Sequence, residues 1–329
     1  MKNTPNIFSF ATSELCQDAM FAWLIQWASP EFAMSDPELN SIGQQFVRLL
    51  AGKDDCFPVD SIDVGRQWDN IDIWVEINDN TFLVVEDKTG TTVHDDQLER
   101  YKASVEREYA GKRTDLCFAY VKTNEEPRSM LASIEQSGFK VVCRHDILAC
   151  LNKYNGTDTL LLSYRDHLQK LEDSVMSFKQ LPEKKWGWFA WQGFYKELEN
   201  RVSLDSWSYV ANPSGGFLGA WWHFVEVGDC QMYLQFEQGK LCFKIAYEGD
   251  GDRSEVRYRE HKKLLEMASS RYPEIHRPAR FGNGTYMTIA VVDEECLFGN
   301  GLVDFGEVTS KLKRYESLID DCCQKTIGK

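Results

Sequence analysis

Two short segments separated by turn-forming residues constrain the fold of this chain more than any other feature. Residues 71–77 alternate apolar and polar side chains, which is typical of a strand with one buried face. Residues 78–80 read Asn-Asp-Asn, a combination that favours a tight turn. Residues 82–88 then form a second, largely apolar segment. We therefore predict a β-hairpin, which requires a sheet in this part of the chain.

The length of the hairpin loop decides which side chains share a face of that sheet. A three-residue loop pairs Ile77 with Thr81, and the same register brings Asp72 directly opposite Glu86. A two-residue loop would instead turn Asp72 to the other face. We predict the three-residue loop, with Asn80 or a neighbour in the left-handed conformation.

Helical and strand-like patterns follow one another on both sides of the hairpin. A capped helix with an apolar stripe of Leu15, Ala19, Ala22 and Trp23 comes first. The further predicted helices cover residues 37–50, 94–109, a segment from residue 127, and 146–178, and the further strands cover residues 59–68, 116–121 and 139–143. This order predicts an α/β fold in which a meander of strands leads into a crossover.

The composition changes after residue 180, where residues 181–185 resemble a linker. Six of the ten tryptophans lie within residues 186–222, and they either fill a core or stack on unpaired bases. Predicted strands and helices here suggest a separate α+β domain. We therefore predict two domains, residues 1–180 and 181–329.

Most of the excess of acidic over basic residues lies in one block of the sequence. The 37 Lys and Arg against 51 Asp and Glu give a net charge of −14, and residues 31–100 alone hold 5 basic and 16 acidic residues. Such a chain does not coat nucleic acid by charge alone. The block is either a solvated acidic surface or a set of carboxylates gathered for a cation.

Hydropathy and cysteine spacing indicate a cytoplasmic protein that does not cross a membrane. No apolar run approaches the ~18 residues that a membrane span needs, and the first residues lack the apolar stretch of a secretory signal. The ten cysteines form no Cys-x-x-Cys pair, so we expect free thiols and no cysteine-held zinc or iron–sulfur site.

Three polar residues interrupt the apolar strands of the hairpin: Asp72, Glu86 and Lys88. Carboxylates a few Å apart repel each other unless a cation lies between them, and their oxygens suit Mg²⁺ or Mn²⁺. A lysine beside such a metal could position or deprotonate an attacking water. Glu-x-Lys occurs three times in the chain, but only Glu86–Lys88 ends an apolar strand. The alternative is a surface ion pair at a strand end.

The next predicted helix carries the only Gln-x-x-x-Tyr of the chain, Gln97 and Tyr101, one turn apart on one face. Asp72, then Glu86-x-Lys88, then this pair over residues 8–145 resembles the PD-(D/E)XK nuclease superfamily, specifically its RecB-like branch. The resemblance implies a restriction-endonuclease-like αβββαβ core. It implies that Asp72 and Glu86 bind metal, that Lys88 is catalytic, and that Gln97 and Tyr101 line the substrate side. It also matches Glu14 to an additional metal-binding acid of the first helix.

The sequence departs from the family pattern at several positions. No proline precedes Asp72, and Asp87 stands where an apolar residue or Asn is usual; we expect Asp87 to face solvent or Arg100. Asp69 and Glu76 are alternative acids flanking Asp72. His94 is either a base or, as we favour, a helix-start or solvent residue.

The leading hypothesis is therefore a Mg²⁺-dependent (or Mn²⁺-dependent) phosphodiesterase that acts on nucleic acid, with DNA favoured over RNA. The alternatives are a catalytically inactive binding or scaffold protein with a nuclease fold, and a hydrolase of smaller phosphoesters. The second domain would recognise substrate or partner, and its stretch 253–280, with eight basic and four acidic residues, is where we expect phosphate contacts. Whether the protein forms a homo-oligomer stays open.

Overall fold

The structure, a computed structural model, describes residues 5–93, 96–112, 114–212 and 215–327. These residues form two compact units. The first unit comprises residues 5–125 and 130–173, and the second comprises residues 126–129 and 174–327. The change from one unit to the other falls inside a helix, since residues 173 and 174 both belong to the helix Thr159–Met176.

The first unit is an α/β fold built on a five-stranded mixed sheet. Its elements are α1 (Glu14–Gln26), α2 (Pro37–Ala51), β1 (Ile62–Trp68), β2 (Ile71–Ile77), β3 (Thr81–Lys88), α3 (Gln97–Glu108), β4 (Asp115–Lys122), α4 (Arg128–Gln136), β5 (Lys140–Cys143), α5 (Arg144–Leu151) and α6 (Thr159–Met176). The strand order is β1-β2-β3-β4-β5, antiparallel from β1 to β3 and parallel from β3 to β5. This succession contains the predicted αβββαβ order, so the expected fold class is confirmed.

The predicted register of the hairpin is also confirmed. Ile77 pairs with Thr81 and Ile73 with Val85, so the same register sets Asp72 opposite Glu86. The loop is three residues long, and its left-handed residues are Asn78 and Asp79, with φ of 55° and 57°. The turn therefore fixes which polar side chains of β2 and β3 share a face.

The buried face of α1 differs from the predicted apolar stripe. Leu15 is 52% exposed, whereas Phe21, Leu24 and Ile25 are buried. The helix has apolar residues around most of its circumference. The spacing of its apolar residues therefore does not show which face is buried. The buried face also carries two polar residues, Gln17 and Asp18.

Helices cover both faces of the first sheet. One face packs against α1 and α2, and the larger core lies there, including Ile73, Val75 and Val85. The other face, with Val84 and Tyr120, packs against Leu98, Tyr101 and Val105 of α3. The middle strand β3 is consequently buried along all eight of its residues.

The second unit is an α+β fold on a five-stranded antiparallel sheet. Its elements are α7 (Trp188–Leu198), β6 (Leu204–Val210), β7 (Phe217–Val227), β8 (Cys230–Glu237), β9 (Lys240–Ala246), α8 (Arg253–Ala268), β10 (Tyr286–Val292), α9 (Glu294–Phe298) and α10 (Phe305–Ile327). The strand order is β10-β9-β8-β7-β6. One core joins the sheet to the helices, and four of the six tryptophans in residues 186–222 are buried in it. None of the helices in the described part of the chain is both long and apolar enough to cross a membrane.

Candidate active site

The ends of β2 and β3 bring two carboxylates and an ammonium together. Lys88 Nζ lies 2.5 Å from Glu86 Oε1 and 3.7 Å from Asp72 Oδ2. The Glu86 side chain is fully buried, that of Lys88 is 10% exposed, and that of Asp72 is 26% exposed. Alternation along β3 accounts for the shared face of Glu86 and Lys88. Asp72 is therefore the part of this group that a ligand from solvent reaches first.

Helix α3 adds Gln97 and Tyr101 to the same group. Gln97 Nε2 donates to Glu86 Oε1 and to the Tyr101 hydroxyl, both at 2.7 Å, and the Tyr101 hydroxyl donates to the Asn70 carbonyl at 2.7 Å. The spacing of four residues places both side chains on the helix face that meets the sheet. This chain of hydrogen bonds links α3 to β3 and to the start of β2.

Burial and neighbouring charge act strongly on Glu86. Desolvation, together with the charge of Asp72, raises the pKa of Glu86 to about 8, although Lys88 opposes the shift. Burial alone would lower the pKa of Lys88, but the contacts with Glu86 and Asp72 outweigh it and raise that pKa. Lys88 therefore stays protonated near neutral pH, while Glu86 holds a proton there.

One oxygen of Glu86 has no partner. Glu86 Oε2 is buried and accepts no hydrogen bond from any described residue. A buried carboxyl oxygen without a hydrogen-bond partner is costly whether or not the group holds its proton, and a divalent cation that displaced the proton would remove that cost. The donor set consists of hard oxygens, which Mg²⁺ and Mn²⁺ prefer. Asp72 and Glu86 thus fit a divalent metal ion.

Glu14 lies at the edge of this group, at the N-terminus of α1. Its Oε1 accepts from the Thr89 amide at 3.1 Å and from the Thr91 hydroxyl at 2.5 Å. Burial would raise the pKa of Glu14, but these hydrogen bonds, together with the charge of Lys88, lower it. Glu14 is thus an ionised carboxylate held next to the end of β3, within the electrostatic reach of Lys88.

The expectation that Asp87 faces solvent or Arg100 was wrong. Asp87 is fully buried on the α1 side of β3, where Gln17 Nε2 donates to its Oδ1 at 2.6 Å. The backbone amide of Asp87 donates to Asp72 Oδ2 at 2.9 Å. The physical reason is that α1 covers this face of the middle strand, so no side chain there reaches water. Burial and the neighbouring Asp18 raise the pKa of Asp87 well above its ordinary value.

Asp18 is a residue that sequence reasoning missed. It is 1% exposed, and burial, with the charge of Asp72, raises its pKa to about 6. Asp18 Oδ2 lies 3.6 Å from Arg66 Nη2. Asp18 and Asp87 lie within hydrogen-bond distance of each other, and no N–H or hydroxyl group of a described residue donates to Asp18 Oδ1 or to Asp87 Oδ2. The available signal was spacing, because Asp18 follows Glu14 by one helical turn and so shares its face.

The alternative acids are engaged elsewhere. Glu76 Oε1 accepts from the Tyr109 hydroxyl at 2.8 Å, and Asp69 accepts from the Ser104 hydroxyl. No contact of either acid with Lys88 is found among the described residues. His94 lies outside the described residues.

Comparison with known proteins identifies the family of the chain. A family model described as the PD-(D/E)XK nuclease superfamily matches residues 5–185, more than half of the chain. No curated protein and no solved structure matches the chain significantly.

Proposed function

We propose that this chain, which belongs to the PD-(D/E)XK nuclease superfamily, is an active nuclease that hydrolyses phosphodiester bonds of DNA with a divalent metal ion. The observation that carries the proposal is the buried Glu86 oxygen without a donor, beside Asp72 and Lys88. A decayed scaffold gains nothing from burying these charges, and hydrophobic replacement would stabilise it. An intact, costly set of charges therefore favours catalysis over the scaffold alternative.

Asp72 and Glu86 would hold Mg²⁺ or Mn²⁺, which when bound lowers the pKa of water and offsets charge on a phosphoryl oxygen. Lys88 retains its proton and presents an ammonium beside the two carboxylates. In this position it orients the attacking water and stabilises the negative charge that develops on phosphate. The water oxygen bonds to phosphorus while the bond to the leaving oxygen breaks, and the proton that the water gives up ends on that leaving oxygen, so Lys88 is unchanged over the reaction.

Gln97 and Tyr101 would line the substrate side of the site, as the resemblance to the RecB-like branch implies, and their hydrogen bonds would also hold Glu86 in place. Gln97 donates to the Glu86 oxygen that also contacts Lys88, and Tyr101 ties Gln97 to the Asn70 carbonyl. Glu14 would complete the metal site from α1. We assign these roles to residues 1–180 and a recognition role to residues 181–329.

A reducing compartment such as the cytoplasm suits the proposed enzyme. The ten cysteines, all within the described residues, form no disulfide with one another, and four of them are buried: Cys150, Cys230, Cys242 and Cys322. Such thiols persist where disulfides are kept reduced.

The test is cleavage of end-labelled single-stranded DNA, double-stranded DNA and RNA by the full chain with Mg²⁺ or Mn²⁺. Wild type is compared with Lys88→Ala, and Lys244→Ala is the matched control. Lys244 has a similarly buried side chain (11% against 10% exposed) and also faces a carboxylate, at 3.5 Å from Glu237 Oε1.

We expect metal-dependent cleavage of DNA by wild type and by Lys244→Ala, and a rate at least ~100-fold lower for Lys88→Ala. Equal rates for wild type and Lys88→Ala would refute the mechanism. Absence of cleavage by any variant, together with tight binding of DNA, would favour the scaffold.

A further inference from the structure

Half of the basic residues in stretch 253–280 are paired with acids. Arg259 contacts Asp229 and Glu260, Lys262 lies 3.8 Å from Glu266, Lys263 4.0 Å from Glu260, and Arg271 3.6 Å from Asp321. The net charge of the stretch therefore overstates how many of its cations are available to a ligand.

The other four basic residues have no carboxylate within ion-pair distance in the described part of the chain. They are Arg253, Arg257, Arg277 and Arg280. Arg253 lies one helical turn before Arg257 on α8, and Arg280 directly precedes Phe281. The acid at the start of α8, Asp252, uses its carboxylate to cap the helix through the Ser254 amide.

Two of the four arginines lie over one aromatic ring. The guanidinium carbons of Arg257 and Arg277 lie 4.8 Å and 4.6 Å from the centroid of Phe281, close enough for cation–π interaction. His261 meets the same ring edge-on, with centroids 5.1 Å apart. The ring restricts the conformations of both guanidinium groups before a ligand binds. These side chains therefore lose less conformational entropy on binding.

The loop that carries Phe281 is tied to α8. Arg257 donates to the Gly282 carbonyl and to Asn283 Oδ1, and the Ser254 hydroxyl donates to the same Asn283 oxygen at 3.2 Å. Arg257 Nε is buried and makes no hydrogen bond to any described residue.

Helix and loop therefore form one surface, which we call the Phe281 arginine cluster: Arg257, Arg277 and Phe281. Arg253, one helical turn before Arg257, and Arg280, next to Phe281 in the chain, add two further positive charges to this part of the sequence.

An exposed aromatic ring lies beside the cluster. Tyr258 follows Arg257 on α8, is 60% exposed, and lies 6.4 Å from the ring of His261. Arginines that recognise phosphate and an open aromatic ring that stacks on a base form the usual combination for unpaired nucleic acid.

We infer that the Phe281 arginine cluster binds a single-stranded stretch of nucleic acid, with its arginines on the phosphates and Tyr258 on a base. This inference rests on the proposed function, because it names where the second unit would hold the substrate of the nuclease site. It locates binding on a surface of the second unit that contains none of the candidate catalytic residues.

The test is fluorescence anisotropy of labelled oligothymidylate and of a duplex with the full-length Lys88→Ala chain, in EDTA and over a series of salt concentrations. Arg257→Ala/Arg277→Ala is compared with Lys262→Ala/Arg271→Ala, which removes the same charge from acid-paired residues of the same stretch. Thermal unfolding of each variant checks that it is folded, and Arg257→Lys/Arg277→Lys keeps the charge in case the alanine variant does not fold.

We expect Arg257→Ala/Arg277→Ala to bind the single strand about 5- to 20-fold more weakly, with a salt slope lower by about 1.4. The control should stay within about 2-fold, because its charges are already neutralised by acids. Tyr258→Ala should weaken the single strand about 5-fold or more and leave the duplex unchanged within about 2-fold.

Three results would overturn the inference: no binding by the parent chain, an equal loss in the control, or displacement by polyglutamate as effective as by nucleic acid. The last result would make the cluster a site for acidic proteins. Failure of the proposed function is distinguishable, since it appears as intact single-strand binding without metal-dependent cleavage by wild type.

Discussion

Strands β3 and β8 are each the middle strand of a five-stranded sheet. Each carries an acidic residue, but the pKa is raised for the acid in β3 and lowered for the acid in β8. In β3 the fully buried Glu86 faces another carboxylate, and burial with that charge raises its pKa to about 8. In β8 the acid is Glu237, at the strand end. Burial would raise its pKa too, but Lys240, 2.9 Å away, and Lys244 outweigh burial and lower it.

The two acids differ in how much positive charge surrounds them. Two lysines form ion pairs with Glu237. In the first sheet, one lysine contacts both Glu86 and Asp72. A buried acid with too little positive charge around it destabilises the fold that contains it. The first sheet retains this cost at Glu86, where a metal ion would remove it, and at Asp87 on the opposite face of β3.

The largest expected effect comes from making Glu86 neutral. Glu86→Gln should lower the cleavage rate at least ~100-fold, about 2.7 kcal/mol in activation free energy, because a metal-binding oxygen is lost. The same variant should unfold at equal or higher urea concentration than wild type in EDTA at pH 8. The control Glu237→Gln should keep its cleavage rate and lose stability instead. Full activity of Glu86→Gln would show that Glu86 does not hold the metal needed for cleavage.

The opposite face of β3 should show a purely structural cost. Asp87→Ala removes the shorter of the two hydrogen bonds of Gln17 Nε2, at 2.6 Å, and leaves only the one to Thr123 Oγ1 at 3.3 Å, which should lower the free energy of unfolding by about 2 kcal/mol. Gln235→Ala removes a buried amide from β8 whose hydrogen bond to Glu237 is 3.4 Å long, and should cost about 1 kcal/mol. Urea unfolding measures both variants, and a larger loss for Gln235→Ala would contradict the assignment.

The raised pKa of Glu86, unlike the lowered pKa of Glu237, should make the protein less stable as pH rises. Folded Glu86 keeps its proton up to about pH 8, while the unfolded chain loses it near the ordinary value of 4.5. Between these values the unfolded state binds fewer protons, so the free energy of unfolding should fall as pH rises, by about 1.4 kcal/mol per pH unit for this group.

Asp18 and Asp87 contribute in the same direction, since their pKa values are also raised. The measurement is therefore the difference between wild type and Glu86→Gln in EDTA, from pH 5 to 8. Parallel curves for the two proteins would exclude the raised pKa of Glu86.

The smallest change in stability and cleavage rate is expected for Glu76, an acid of β2 that does not belong to the proposed metal site. Glu76 accepts from the exposed Tyr109 hydroxyl, so Glu76→Gln should change stability by less than about 0.5 kcal/mol and leave cleavage within about 2-fold. Initial cleavage rates with Mg²⁺ test this, and a loss comparable to that of Glu86→Gln would make Glu76 a ligand.

The sequence predicted the parts of the site that depend on local rules. The alternation of residues 71–77 and the Asn-Asp-Asn turn set the register of the hairpin, and with it the meeting of Asp72, Glu86 and Lys88. Gln97 and Tyr101 followed from the helical repeat. Each of these predictions needs only strand and helix periodicity and the length of one loop.

The burial and ion pairing of the functional residues depend on how distant segments of the chain pack around them. Asp87 was expected in solvent and is buried, because α1, about 70 positions earlier in the chain, covers that face of β3. Likewise, the eight basic residues of stretch 253–280 divide into paired and unpaired sets only once acids as distant as Asp321 are in place. Periodicity fixes which way a side chain points, whereas burial and ion pairing depend on distant segments that pack against it.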